Sequence, residues 1–253
     1  MFEDRGPASI SSASSVPSID TTGRGPLILA LDTSSSLGSV ALSRGDSIVD
    51  ARAFEANPGH STQLLPAIDS LLRGKDVAAA DLDLFAVVIG PGSFTGLRVV
   101  LACVRGLALS KPCFGALTTD VAAFAARGRE AQTLAMTDLF HGEVFASVHD
   151  REGRILSARE AGEVPAVITA LRPLLEKNVT AVGSATLRHR AAIESALPGV
   201  SFVDLPEGLA PHLARMASSQ ATPQTTCAAS DLLPFYLRDP LTRGLLNTQP
   251  KMG

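Results

Sequence analysis

The chain has 253 residues, 45% of them hydrophobic and 19% charged, which is ample for a core and suits one large domain or two small ones. A net charge of −3 with no basic stripe excludes a nucleic-acid binder acting by itself. No apolar run reaches membrane-spanning length, since Arg98 and Arg105 break the oiliest segment, and residues 1–25 lack the apolar h-region of a signal peptide.

Residues 1–25 are rich in Ser, Pro, Gly and Thr and cannot bury enough apolar surface to offset their ordering entropy, so a disordered extension is expected there. From Leu27 the pattern sharpens. LILALD (27–32) reads as a buried strand, TSSSLG as a turn, GSVALS (38–43) as a second strand and DSIVDARAF (46–54) as a third, giving a β-meander. A helix follows with Leu64, Leu65, Ile68, Leu71 and Leu72 on one stripe, and Pro66 must mark its first turn or kink it. LFAVVIG (84–90) is a strand, 95–110 a helix and CFGAL (113–117) a strand. Three antiparallel strands followed by helix–strand–helix–strand describe a ribonuclease-H-like half.

A weak repeat follows. LALDTSSSLGSVALS (29–43) and LAMTDLFHGEVFASV (134–148) both read as apolar strand, polar turn, glycine and a second strand entered through a valine, Val40 or Val144. Helices near 165–176 and 186–196 and strands at 179–183 and 200–204 complete a thinner second half. The fold class expected is therefore α/β, an actin-like (ASKHA) two-lobed fold of two ribonuclease-H-like halves, the second reduced. Its lobes are placed at 26–118 and 119–241, with the last segment free to pack back on the first lobe and 242–253 a loose tail. That architecture hosts many functions, so function has to come from sites.

The glycine loop IGPGSFTG (89–96) resembles a phosphate loop but lacks the Walker lysine, and Gly96 falls one residue late for a Rossmann G-x-G-x-x-G. A tight turn at a strand end remains, where Ser93 or Thr95 can cap the next helix and free amides can hold an anion. Gly92 and Gly96 belong to that loop. Asp32 and Thr33 open the DTSS turn (32–35), which can position a metal or phosphate and can equally close an Asx turn. The helix behind the loop is apolar on nearly its whole circumference, with Arg98 and Arg105 on one stripe and Ala102 beside them. Something must cover its outer side, either this chain or a second protein.

His60, His141, His149, His189 and His212 form no close pair, so no metal site is expected, and no G-x-S-x-G offers a nucleophilic serine. Cys103, Cys113 and Cys227 lie far apart without CxxC spacing, as in a reducing cytoplasm with the thiols acting as small apolar fillers.

LALDTSSSLGSVAL, HSTQLLPAIDSLL (60–72), IGPGSFTGLR (89–98), RGLALS (105–110) and YLR (236–238) together resemble the bacterial tRNA threonylcarbamoyladenosine biosynthesis protein TsaB family, also called YeaZ. The match runs from about Leu27 to Asp150, with a second touch at Tyr236; 150–230 matches only in pattern. The resemblance implies a non-catalytic subunit in the synthesis of N6-threonylcarbamoyladenosine at position 37 of ANN-decoding tRNAs. It would pair with a catalytic, metal-carrying TsaD-like subunit, help recruit a TsaE-like ATPase, meet tRNA only through the complex, and form a homodimer when alone. The implied partner surface is built from the helices at 62–73 and 95–110, through Leu64, Leu65, Ile68, Leu72, Arg98, Leu101, Ala102, Arg105 and Leu109. The stretch matching the sister subunit's His-x-x-x-His is ALTTDVAAFA (116–125), which has no histidine. Phe140 stands where the family commonly has Arg. The chain would carry no cofactor of its own, with weak ATP or ADP at a subunit interface left open through Asp32, Gly92 and Thr95. The competing reading is a nucleotide-dependent kinase or hydrolase of the actin-like class.

Overall fold

The computed structural model describes residues 25–55, 59–139, 142–157 and 159–237. The expectations for 1–24, for Phe140 and His141, for Arg238 and for the tail lie outside the described residues, as does the side chain of His60.

The first half runs β1 (Leu27–Asp32), β2 (Leu37–Arg44), β3 (Ser47–Glu55), α1 (His60–Arg73), β4 (Leu84–Gly90), α2 (Phe94–Ala108), β5 (Cys113–Leu117) and α3 (Thr118–Ala126). The second runs β6 (Gln132–Asp138), β7 (Glu143–Asp150), β8 (Glu160–Glu163), α4 (Val164–Leu171), β9 (Val179–Val182), α5 (Ser184–Ala196), β10 (Ser201–Val203), α6 (Ala210–Gln220) and β11 (Thr226–Cys227). The same order of pairing recurs. β1 is antiparallel to β2 and parallel to β4, and β6 is antiparallel to β7 and parallel to β9. The sheets read β11-β5-β4-β1-β2-β3 and β10-β9-β6-β7-β8. The second half is the smaller copy, its β8, β9 and β10 having only four, four and three residues.

Alternation along the strands sorts side chains into layers. In β1, Leu27, Leu29 and Leu31 face α1 and α2, whereas Ile28 and Ala30 face the space between the sheets. That space is filled by α3 and α6, and alanine makes up 11 of the 20 buried residues of this central cluster. Small side chains let α3 lie close to both sheets and α6 lie close to the first sheet and to α3. The outer cluster under α1 and α2 is instead built of Leu, Ile and Val. Each half sends its last helix across: α3 packs most on β6 and α6 on β1 and β2. The two lobes thus share one core. Pro66 sits well inside α1, exposed to solvent, and the helix continues through it.

The last described segment returns to the first lobe. β11 adds to the edge of β5, and the Phe235 amide donates to the Ile89 carbonyl at 2.8 Å. The short helical turn Ala229–Asp231 lies against α2. Four elements were not read from the sequence: α3, α6, β8 and β11.

Candidate functional site

Two regions hold the residues singled out above, and the first is a cleft between the lobes. It holds about 120 Å³ and is walled by Asp32, Ser34, Ser35 and Ser36 after β1, Thr118 at the start of α3, Gly183, Ser184 and Thr186 at the start of α5, and Asp204, Gly208 and Leu209 before α6. Asp32 is buried, and its Oδ1 accepts the Ser34 amide at 2.8 Å. Desolvation pushes its carboxyl from 3.8 up to about 6, against the opposing effects of Ser34 and of the Leu209 amide. The Asx turn has therefore formed, and the start of α6 is seated beside it on β2, where the Ala210 amide donates to Ser39 Oγ at 3.0 Å.

The glycine loop does not line this cleft. Its backbone is fastened to the far side of the DTSS turn, with the Ser93 amide donating to the Ser34 carbonyl at 2.7 Å. A Cβ on Gly92 would lie 2.2 Å from that same oxygen, so only glycine fits. Thr33 Oγ1 donates to the Gly96 carbonyl at 2.8 Å, and Thr118 Oγ1 to that of Pro91 at 2.7 Å. Ser93 caps α2 by accepting the Gly96 amide at 3.2 Å. Thr95 is exposed and apart. Of the six residues expected to gather at an anion, only Asp32 reaches the cleft. Thr33, Gly92, Ser93 and Gly96 are spent on joining two turns, with the Ser93 and Gly96 amides partnered within the chain.

The second region is the outer face of α1 and α2. The helix expected to be oily all round is sided. Leu97, Val100, Leu101, Val104 and Ala108 are buried on the sheet, while Arg98, Ala102, Arg105, Gly106 and Leu109 are exposed. Leu64, Ile68, Leu72 and Leu101, expected at a partner surface, belong to the chain's own core, since the stripe that makes α1 amphipathic is what packs it on β2. Leu65 at 54% exposure, Leu109 at 80%, Ala102 and Arg98 remain outside. One flank of α2 is covered by the C-terminal segment. Arg105 donates to the Leu232 carbonyl at 2.8 Å and to that of Ala229 at 3.4 Å. Arg98 lies 4.0 Å over the Phe94 ring and donates to the Tyr236 hydroxyl at 3.3 Å. The Phe94 and Tyr236 rings pack at 5.1 Å.

Architecture alone does not choose among actin-like functions; relatives do. A family model described as TsaD, tRNA N6-adenosine threonylcarbamoyltransferase, matches residues 54–204. The TsaB protein of Haemophilus influenzae is 30% identical over 85% of this chain and 94% of its own length. The chain belongs to the TsaB family. The Bacillus subtilis TsaB is 29% identical over 70% of this chain and 79% of that protein. In fold, YeaZ from Pseudomonas aeruginosa superposes with a TM-score of 0.66 at 24% identity, covering 84% of this chain and all of that one. Component A of the Acidaminococcus fermentans (R)-2-hydroxyglutaryl-CoA dehydratase superposes at 0.52 and 12% identity, over 78% of this chain and 99% of that one. The mixed two-sheet arrangement is the actin-like fold expected from the sequence.

The strand-end turn recurs in two copies. Asp138 ends β6 as Asp32 ends β1, but the second turn is one residue shorter, with Asp138 facing Val144 where Asp32 faces Ser39. Asp138 pairs with Arg188, and its amide donates to Ser184 Oγ at 3.1 Å. His149 is buried, bonded to Ser147 Oγ at 2.8 Å and to the Gly153 carbonyl at 3.2 Å; burial lowers its pKa. His212 pairs with Glu207 at 2.7 Å. Among the described residues no three His, Cys, Asp or Glu side chains gather where they could hold a metal ion, and no helix is long and apolar enough to cross a membrane. The cleft's second wall, Gly183 to Thr186 and Gly208, went unread. The signal for Gly183 to Thr186 was the repeat itself, since β9 pairs with β6 as β4 pairs with β1, which makes the β9–α5 turn the counterpart of the glycine loop.

Proposed function

We propose that this TsaB-family chain is a non-catalytic scaffold in threonylcarbamoyladenosine synthesis, pairing with a TsaD-like catalytic subunit through the outer face of α1 and α2. The pair helps recruit a TsaE-like ATPase and meets tRNA only as a complex. The observation that carries this reading is the uncovered remainder of that face: Leu65 and Leu109 stand in solvent beside the small residues Ala102 and Gly106, which allow close helix approach. Arg98 and Arg105 stand along the same helix, held by Tyr236 and the Leu232 carbonyl, so their order does not have to be gained on binding. A free chain with this face bare pairs with itself. The lack of histidine in 116–125 supports a silent partner; there α3 carries Asp120, already paired with Arg159 at 3.0 Å.

Reconstitution tests it. An ANN-decoding tRNA is incubated with the catalytic subunit and the ATPase, with and without this chain, and modified adenosine is measured. Product is expected only when this chain is present with the others, and none from this chain alone. Equal product without it contradicts the proposal.

A second reading, weak ATP or ADP binding, is favoured by the cleft, where Asp32 and the start of α5 at Ser184 share one wall-lined space. Calorimetric titration with Mg-ATP, on the chain alone and on the pair, checks it against an Asp32→Ala variant.

A further inference from the structure

The three cysteines, scattered in sequence, meet in one place. Cys103 on α2, Cys113 on β5 and Cys227 on β11 all border the cluster beneath α1 and α2. Two of them are register partners: Cys227 sits directly opposite Cys113 in the antiparallel pair of β11 and β5. Residues so placed point to the same face, with Cα atoms ~4.5–5.5 Å apart, which lies inside the ~4.4–6.8 Å that disulfides span. The proximity is also electrostatic, since a Cys227 thiolate opposes ionisation of Cys113. Cys113 is wholly buried and Cys227 half-buried, on a two-residue strand at the sheet edge.

We propose that Cys113 and Cys227 form a cross-strand dithiol that closes to a disulfide under peroxide, stapling the C-terminal segment to the edge of the first sheet. Cys227 is the more accessible thiol and reacts first. Its sulfur attacks hydrogen peroxide, giving a sulfenic acid and water. The Cys113 sulfur then displaces the sulfenic hydroxyl as a second water, and the S–S bond forms; peroxide takes up the two electrons. The bridge fixes the strand that leads into Ala229 and Leu232, whose carbonyls hold Arg105. Burial raises both thiol pKa values, Cys113 to about 12, so the thiolate is scarce at neutral pH and the reaction accelerates as pH rises. The inference stands on strand register and does not depend on the partner reading.

Peroxide-treated full-length protein is followed by thiol titration, intact mass and a non-reducing peptide map. The titre should fall from three thiols to one, with Cys113 and Cys227 peptides linked and the melting temperature raised by ~5–10 °C. Cys103→Ser should still close the bridge; Cys227→Ser should not. Equilibration in a glutathione redox buffer repeats the test free of the slow rate. A native protein that keeps all three thiols there, holds only mixed glutathione disulfides, or bridges through Cys103 or between molecules overturns the proposal.

Discussion

The cleft and the α2 face differ in what the fold leaves over. At the cleft and in the turn and strand behind it, side chains that look like ligand donors are largely consumed: Thr33, Ser39 and Thr118 each bond to backbone, and Asp32 is taken by its own turn. At the α2 face, side chains that look like an interface are also largely consumed, by the core. What remains is chemically opposite. The cleft keeps one poorly solvated carboxyl among hydroxyls, and the helix face keeps exposed leucines beside alanine and glycine. A site in this molecule is the residue of its folding, and only the structure reveals that remainder.

Four substitutions break or sharpen the contrast. Leu101→Ala should cost about 2–5 kcal/mol in denaturant unfolding, because the side chain is core rather than interface. A cost near zero would return it to the surface. Asp32→Asn should stabilise the chain by on the order of 2–3 kcal/mol at pH 7.5, since the folded carboxyl ionises only near 6. The sign follows from proton binding. Between pH 3.8 and about 6 the folded chain holds a proton that the unfolded chain has released, so wild-type stability falls as pH rises through that window and is flat above it. The variant's advantage should therefore vanish near pH 4, as melting curves across pH would register. Arg105→Ala should cost about 1 kcal/mol by freeing two carbonyls, and limited proteolysis should then cut sooner within 228–237. Ala102→Glu should change stability by less than about 0.5 kcal/mol, because it is exposed and lies one turn from both arginines.

Much of the fold was legible. β1, β2, α1 and α2 follow from apolar period and capping residues, and the repeat of LALD with LAMTD foretold two matching sheets. The missed pieces share a physical cause. α3 is alanine-rich and buried on most sides, so it has no polar face to reveal a period. α6 begins with Ala-Pro-His and has weak hydropathy, and gains its place from the central layer. β8 reads EAGE and β11 is two residues long; both exist through their neighbours. At the sites, the glycine loop was legible as a turn, while the direction it faces depends on the Ser34 carbonyl and so could not be read. The stripe on α1 was legible as apolar, but nothing in it distinguishes core from contact except Leu65, one position off the buried line.

The central claim is that the uncovered face of α1 and α2 seats a partner. Light-scattering size-exclusion chromatography of this chain alone, then mixed with a TsaD-like subunit, tests it most directly, with Ala102→Glu as the paired variant. The account predicts a homodimer that exchanges into a heterodimer, and a folded variant that forms neither, because the new carboxylate would be buried at the contact. A wild-type chain that stays monomeric and ignores the subunit, or a variant that pairs as the wild type does, would contradict it.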